Sequence, residues 1–256
     1  MTRRAFVIGW PIEHSRSPAM MNPALRALGV DAAMERLAVH PDELARIRGE
    51  LRTDPPLGVS VTIPHKEAVV ALCDERSAEV DAIGAANCLE FRDGTVIAHN
   101  TDAGGFVDSL GFSPHHAVLL GAGGAARAVA YGLSGSHVDV VARRPASWCA
   151  SHAWSELPHL LARADLLVDC TSVGLDSTAE LDVPLHALPK DATVATLIYH
   201  QRTKLLERAS ALGYSTLDGR GMLVHQGARA LAIWTGKPAP IEVMSRALDD
   251  SLVKNA

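Results

Sequence analysis

Short apolar runs and amphipathic stretches take turns along this chain. AFVIG (5–9) reads as a buried strand that runs into a turn at Gly9-Trp10-Pro11. SPAMMNPALRALG (17–29) predicts a helix, with Ser17 as N-cap, Pro18 at the first helical position and Gly29 past the end. MERLAV (34–39) alternates as a second strand, and HPDELARIRGELR (40–52) repeats apolar residues at helical spacing through Leu44, Ile47 and Leu51. In GVSVTIPHK (58–66), Val59, Val61 and Ile63 alternate with Ser60 and Thr62, and Pro64 ends this third strand. HKEAVVALCD (65–74) predicts a helix, and NCLEFRDGTVIAHN (87–100) a hairpin around Asp93-Gly94.

NTDAGGFVDSLG (100–111) reads as a connecting helix. HHAVLLGAGGAARAVAYGLSG (115–135) reads as strand, glycine turn and helix. HVDVVARR (137–144), ADLLVDCTSVG (164–174) and ATVATLIY (192–199) are further strands, separated by segments short enough for parallel crossovers. GMLVHQGARALAIWTG (221–236) is strongly helical, and PIEVMSRALDDSLVKNA (240–256) forms a last helix. Alternation of this kind defines an α/β fold. The expectation is two domains with a cleft between them: a mostly parallel domain from 1–102 and 237–256, and a Rossmann-type domain from 103–236.

Composition narrows the partners. A net charge of −5 offers no basic footprint for nucleic acid or an anionic membrane. No apolar stretch reaches the ~18 residues of a membrane span, and the apolar run of MTRRAFVIGWPIEHS is cut by Gly9 and Pro11, unlike a secretory leader. A small-molecule substrate, a cytoplasmic location and a monomer or homodimer are expected. Cys73, Cys88, Cys149 and Cys170 form no CxxC pair, and Cys170 reads as a buried, inert thiol. The 12 histidines are scattered without an HExxH spacing, so no metal site is expected.

Gly121-x-Gly123-x-x-Ala126 follows an apolar strand and opens a helix, the context that a dinucleotide fingerprint requires. Gly121 permits the tight turn, Gly123 lets backbone approach a pyrophosphate, and Ala126 allows close helix packing. Gly121, Ala122, Gly123, Gly124 and Ala125 are the candidate phosphate contacts; the alternative is a glycine turn with no ligand. The next strand ends in Ala142-Arg143-Arg144, and its nearest acid, Asp139, lies inside the strand. NAD readers place an acid at that strand end, whereas two guanidiniums suit a 2′-phosphate. NADP is therefore the expected cofactor, against the alternative of two solvated loop arginines.

Six segments in order resemble the shikimate dehydrogenase family: VIGWPIEHSRSPAMMN, GVSVTIPHK, GAANCLEFRDGTVIAHNTDAGGF, GAGGAAR, DCTSVG and DGRGMLVHQGARALAIWTG. The resemblance implies an NADP-dependent reduction of 3-dehydroshikimate to shikimate in aromatic amino acid biosynthesis. It makes Ser15 and Ser17 donors to the substrate carboxylate and sets Thr62, Lys66, Asn87 and Asp102 around the ring hydroxyls and reacting carbon. Gln226 would reach a hydroxyl, Tyr199 would lie near the cleft, and Gly221 and Met222 would pass close to the nicotinamide. Hydride transfer to a ketone leaves an alkoxide, and Lys66 as an ammonium can protonate it, oriented by Asp102. Departures from the family pattern are Ser60 and Cys88 for the usual Asn and Thr, Ala142-Arg143-Arg144 for Asn-Arg-Thr, Thr196 for Asp, and a short 145–163 segment. They leave open a paralogue acting on quinate or aminoshikimate, and from another class a silent dinucleotide-binding regulator.

Overall fold

A computed structural model describes residues 2–175 and 179–253. In chain order the elements are β1 (Arg3–Gly9), α1 (Ser17–Ala27), β2 (Ala32–Ala38), α2 (Leu44–Thr53), β3 (Val59–Val61), β4 (Glu75–Arg76), α3 (Ala78–Ile83), β5 (Cys88–Arg92), β6 (Thr95–His99) and α4 (Asp102–Leu110). They continue as β7 (His116–Leu120), α5 (Gly124–Gly132), β8 (His137–Val141), α6 (Leu157–Leu161), β9 (Leu166–Asp169), β10 (Thr193–Thr196), α7 (Lys204–Ala211), β11 (Ser215–Leu217), α8 (Arg220–Thr235) and α9 (Ile241–Val253). The chain divides into two compact units, Met1–Gly105 with Leu223–Ala256, and Phe106–Met222. No helix among the described residues is long and apolar enough to cross a membrane.

The first unit is built on a sheet of order β2-β1-β3-β5-β6-β4. β1 pairs in parallel with β2 and β3; the β5–β6 hairpin is antiparallel, turning at Asp93 and Gly94, both at positive φ. Alternation in β1 sorts the core onto two faces. Ala5 and Val7 pack with Met20, Leu25, Val224, Leu231 and Met244, while Phe6 and Ile8 pack with Ile47, Leu51, Val61 and Leu89. Each fully buried aliphatic or aromatic side chain of this kind contributes about 1.5–3 kcal/mol.

Helix α8 supplies Val224, Ala228 and Leu231 to the first of those clusters. The chain therefore returns to the first unit at 222/223, ahead of the 236/237 point expected from the pattern. Amphipathic spacing shows that a helix has an apolar face and leaves open which sheet covers it.

Two local expectations differ from the structure. Residues 65–74 form a turn and a 3-10 segment at Ala68–Leu72 rather than a helix. The Lys66 carbonyl accepts the Ala86 N–H at 2.8 Å, which takes it out of any helical ladder, and β4 follows at once beside β6. Ser17 is the first helical residue of α1, and Arg16 occupies the cap.

The second unit is a parallel sheet of order β11-β10-β9-β7-β8. Val118, Leu120, Leu167 and Val194 face α6 and α7, while Ala117, Leu119, Val168 and Ala195 face Val129 of α5 and Phe106. From β7 the chain moves outward to β8 and then crosses to the opposite side of β7 to form β9. Ligands of open α/β sheets bind outside the carboxyl ends of strands at such a switch point. Beyond β8, among the described residues, there is only a one-residue bridge, Val141 to His152, where the short 142–165 connection passes the sheet edge.

Candidate active site

In the first unit several chain segments meet at one edge of the sheet. β1, β3 and β6 run the same way and end there, while β5 runs oppositely and starts there. Ser15 and Ser17 follow β1, Thr62 and Lys66 follow β3, Asn87 precedes β5, and Asp102 follows β6. The loops after β1 and β3 touch: a Cβ on Gly9 would lie 2.6 Å from Thr62 Cγ2, so only glycine fits. His65 is buried with Nε2 2.7 Å from the Val39 carbonyl oxygen, and this anchors the turn that carries Lys66.

Lys66 Nζ donates to Asp102 Oδ2 at 2.7 Å. Asp102 is buried and opens α4, where Asn100 Oδ1 accepts the N–H groups of Asp102 (3.1 Å) and Ala103 (3.3 Å) as an N-cap. Asn87 Nδ2 lies 2.9 Å from Asp102 Oδ1, 2.9 Å from Thr101 Oγ1 and 3.2 Å from Gln226 Oε1. Its Oδ1 accepts the Thr101 N–H at 2.6 Å, which fixes the amide so that the nitrogen faces the carboxylate. An amide nitrogen has two hydrogens, so three acceptors exceed its capacity, and the longest contact, to Gln226, is the one a ligand can replace. Gln226 Nε2 donates to the Leu223 carbonyl at 2.7 Å. Gly105 lets α4 lie against α8 here; a Cβ on it would come within 2.6 Å of the Gln226 nitrogen.

Lys66, Asp102, Asn87 and Gln226 thus share one network. Ser15 and Ser17 pair with each other, their Oγ atoms 3.4 Å apart, and the loop is held by Arg36 Nε donating to the Ser15 carbonyl at 2.9 Å. An ammonium has three N–H bonds, and the Asp102 contact leaves two for an incoming oxygen.

In the second unit all strands are parallel, so every loop after a strand lies at one edge. Gly121 after β7 has φ +97°, a conformation that L side chains rarely adopt, and its N–H donates to the Val141 carbonyl at 2.8 Å. A Cβ on Gly123, the N-cap of α5, would meet nothing within 4 Å, which leaves space over the first N–H groups of α5 at Gly124 and Ala125. Ala126 is fully buried beneath them. That is a fit for a pyrophosphate, since free amides and the helix dipole both favour an anion. The Ala122 carbonyl accepts Trp148 Nε1 at 3.0 Å and is fixed by it. Arg143 and Arg144 are exposed just after β8.

Asp139, the acid of that strand, is buried and lies close to His116 Nε2 (2.7 Å) and His152 Nε2 (3.1 Å). Burial raises its carboxyl pKa, but the His116 hydrogen bond and the three nearby histidines outweigh this and lower it overall. It is therefore engaged within the strand and does not serve a ribose.

Tyr199 follows β10, and Gly221 and Met222 open α8 after β11. Gly219 allows the close pass before them, because a Cβ there would lie 2.1 Å from the Leu197 carbonyl oxygen. The departures from the family pattern fill structural places. Cys88 is a buried thiol whose pKa burial pushes up, and Thr196 Oγ1 accepts the Ile198 N–H at 3.3 Å; Cys170, expected to be buried, is only partly so.

A doubly wound sheet with an anion-ready glycine turn, in a chain that also holds a lysine–carboxylate pair at a sheet edge, defines a nucleotide-dependent oxidoreductase of small hydroxylated substrates. A family model described as "Shikimate dehydrogenase substrate binding domain" matches residues 7–89, and one described as "Shikimate 5'-dehydrogenase C-terminal domain" matches 219–248. Shikimate dehydrogenase (NADP(+)) of Methanopyrus kandleri is 39% identical over 96% of this chain and 94% of its own length. Shikimate 5-dehydrogenase from Thermus thermophilus, solved in complex with NADP(H) and shikimate, is 35% identical with a TM-score of 0.89 over 97% of this chain and 99% of its own. The shikimate dehydrogenase of Aquifex aeolicus is 32% identical with a TM-score of 0.89 over 96% and 97% of the two chains. The chain belongs to the shikimate dehydrogenase family.

Asn100, Thr101, Gly105, Gly219, His65 and Trp148 carry parts of the site that the sequence reading gave no role. The first three lie inside the quoted NTDAGG run, where the signal was present. Trp148 had none, because its partner Ala122 sits across a turn that the pattern does not resolve.

Proposed function

We propose that this protein catalyses the reversible NADPH-dependent reduction of 3-dehydroshikimate to shikimate, with Lys66 and Asp102 handling the proton. The observation that carries the reading is the Lys66–Asp102 ion pair fixed by Asn87 beside Gln226. When bound, the nicotinamide cofactor supplies or accepts the hydride. Lys66 Nζ donates a proton to the oxygen that becomes the hydroxyl and recovers it in the reverse direction. Asp102 holds the ammonium in place and accepts from a ring hydroxyl. Ser15, Ser17, Thr62, Asn87 and Gln226 suit a polyhydroxy acid, since neutral donors and acceptors can satisfy each hydroxyl without burying further charge.

Gly121, Ala122, Gly123, Gly124 and Ala125 would take the pyrophosphate, Arg143 and Arg144 the 2′-phosphate, and Gly221 and Met222 the nicotinamide end. Tyr199 adds a hydroxyl at the same edge of its unit. In this reading Met1–Gly105 with Leu223–Ala256 binds substrate, and Phe106–Met222 binds cofactor. The four free cysteines suit a reducing, cytoplasmic setting.

Steady-state kinetics with shikimate and quinate, each with NADP and NAD, test the assignment. The highest kcat/KM is expected for shikimate with NADP. A preference for quinate would move the assignment to a paralogue, and no turnover with any pair would leave a nucleotide-binding regulator. Gln226→Ala should weaken shikimate binding by about 1–3 kcal/mol, the value of a lost buried hydrogen bond, while the NADP dissociation constant stays put. Equal losses for both ligands would mean that α8 itself had been damaged.

A further inference from the structure

At the other end of the second unit's sheet, parallel pairing gathers a cluster that linear spacing hides. His116 opens β7, His137 opens β8, and the two are register partners, as are Val118 and Asp139. Register partners in a sheet point to the same face, and so do residues two apart on one strand. His116, His137 and Asp139 are therefore directed to one spot. His116 Nε2 is 2.7 Å from Asp139 Oδ2, and His137 Nε2 is 3.4 Å from Asp139 Oδ1. The three ligand atoms all lie within 4.8 Å of one another. His152, bridged to the β8 edge, brings Nε2 to 3.1 Å from Asp139 Oδ1, and its Nδ1 lies 3.3 Å from Glu156 Oε2.

We propose that His116, His137 and Asp139 form a binding site for a divalent transition-metal ion of the zinc class, with His152 as the fourth ligand. Two imidazoles and a carboxylate are a standard donor set for such an ion. Ligands about 2.0–2.2 Å from a tetrahedral ion stand about 3.3–3.5 Å apart, close to the His137 and His152 distances to Asp139. Asp139 is buried and the His116 side chain is only 12% exposed, whereas the His137 side chain, packed edge-on against the His116 ring, is 64% exposed and leaves an entry path from solvent. Glu156 behind His152 has the place of the carboxylate that orients a ligating imidazole.

The cluster stands some five residues before Gly121 along β7, roughly 16 Å at the rise of a strand, so it is distinct from the nucleotide turn. Its role is structural: the ion ties β7, β8 and the end of the 142–152 connection together, and that connection begins with the arginines assigned to the 2′-phosphate.

The test uses the full chain stripped with EDTA and titrated with Zn²⁺ by calorimetry, then with Co²⁺ by visible absorption. One equivalent of Zn²⁺ is expected, with a tetrahedral Co²⁺ spectrum. The melting temperature should rise by roughly 5–10 °C at 100-fold the dissociation constant. Exposed His137→Ala leaves the other ligands intact, so it folds; its Zn²⁺ affinity should fall by more than the roughly 10–100-fold of an outer-shell change, which Glu156→Gln should show. His115→Ala, next to the cluster and outside it, should bind as wild type. Absence of stoichiometric binding, or binding that His137→Ala and His152→Ala both leave unchanged, overturns the site and leaves a histidine–carboxylate network that needs no ion.

Discussion

Replacing Lys66 with alanine should lower the turnover number by roughly 10²–10⁴-fold, the contribution of a positioned general acid or base. Without the ammonium, the alkoxide left by hydride transfer must take its proton from water. In the proposed assignment, binding is shared among Ser15, Ser17, Thr62, Asn87 and Gln226, so the Michaelis constant for shikimate should move far less. The substitution also strips Asp102 of its cation. Removing one partner of a fully buried pair costs about 3–5 kcal/mol; the Lys66 side chain is 27% exposed, so water offsets part of that loss. A modest fall in melting temperature should therefore accompany the kinetic defect. Circular dichroism separates the two effects: native spectrum with collapsed turnover is the expected pair of results, and turnover within about threefold of wild type would make Lys66 a bystander.

Arg143→Ala combined with Arg144→Ala should weaken NADP by at least ~100-fold and leave NAD nearly unchanged. A hydrogen bond to a charged group is worth about 1.5–3 kcal/mol, and two in concert reach that ratio. The structure sharpens the expectation, because Asp139 is committed to His116 and His152 and cannot take the ribose hydroxyls that NAD presents. Both guanidiniums are solvent-exposed, so added salt should shrink the wild-type preference. Competitive titrations of both cofactors at low and high ionic strength make the comparison. A wild-type enzyme that uses NAD as readily as NADP would sink the role of the two arginines.

Elements whose cause is local could be read from the chain alone. The Gly121 turn, the Asp93-Gly94 hairpin and the buried strands VLL and LLV each follow from backbone freedom or from apolar runs within a few residues. The reading failed where the deciding contact is distant in sequence. HKEAVVALCD has a helical pattern, yet the Ala86 N–H claims the Lys66 carbonyl. Helix α8 shows its apolar face openly, but its partner Met20 lies some two hundred residues earlier, so the pattern alone places the domain boundary past it. Lys66 and Asp102 could be paired only through the family resemblance; in the structure they meet because β3 and β6 end at the same edge. The histidines were legible one by one, and parallel register alone makes them a cluster.

The split of the first unit sets an order on its birth at the ribosome. Its cluster around Ala5, Val7, Met20 and Leu25 is completed by Val224, Leu231, Met244 and Leu248, all synthesised after Phe106–Met222. At ~5–20 residues per second the intervening unit takes about 6–23 s to emerge. Throughout that interval the cluster on this face of β1 has α1 but lacks the side chains of α8 and α9, while the second unit, unbroken in sequence, can already close. The nascent chain therefore completes the unit with the glycine turn first, and the lysine–carboxylate site is assembled last.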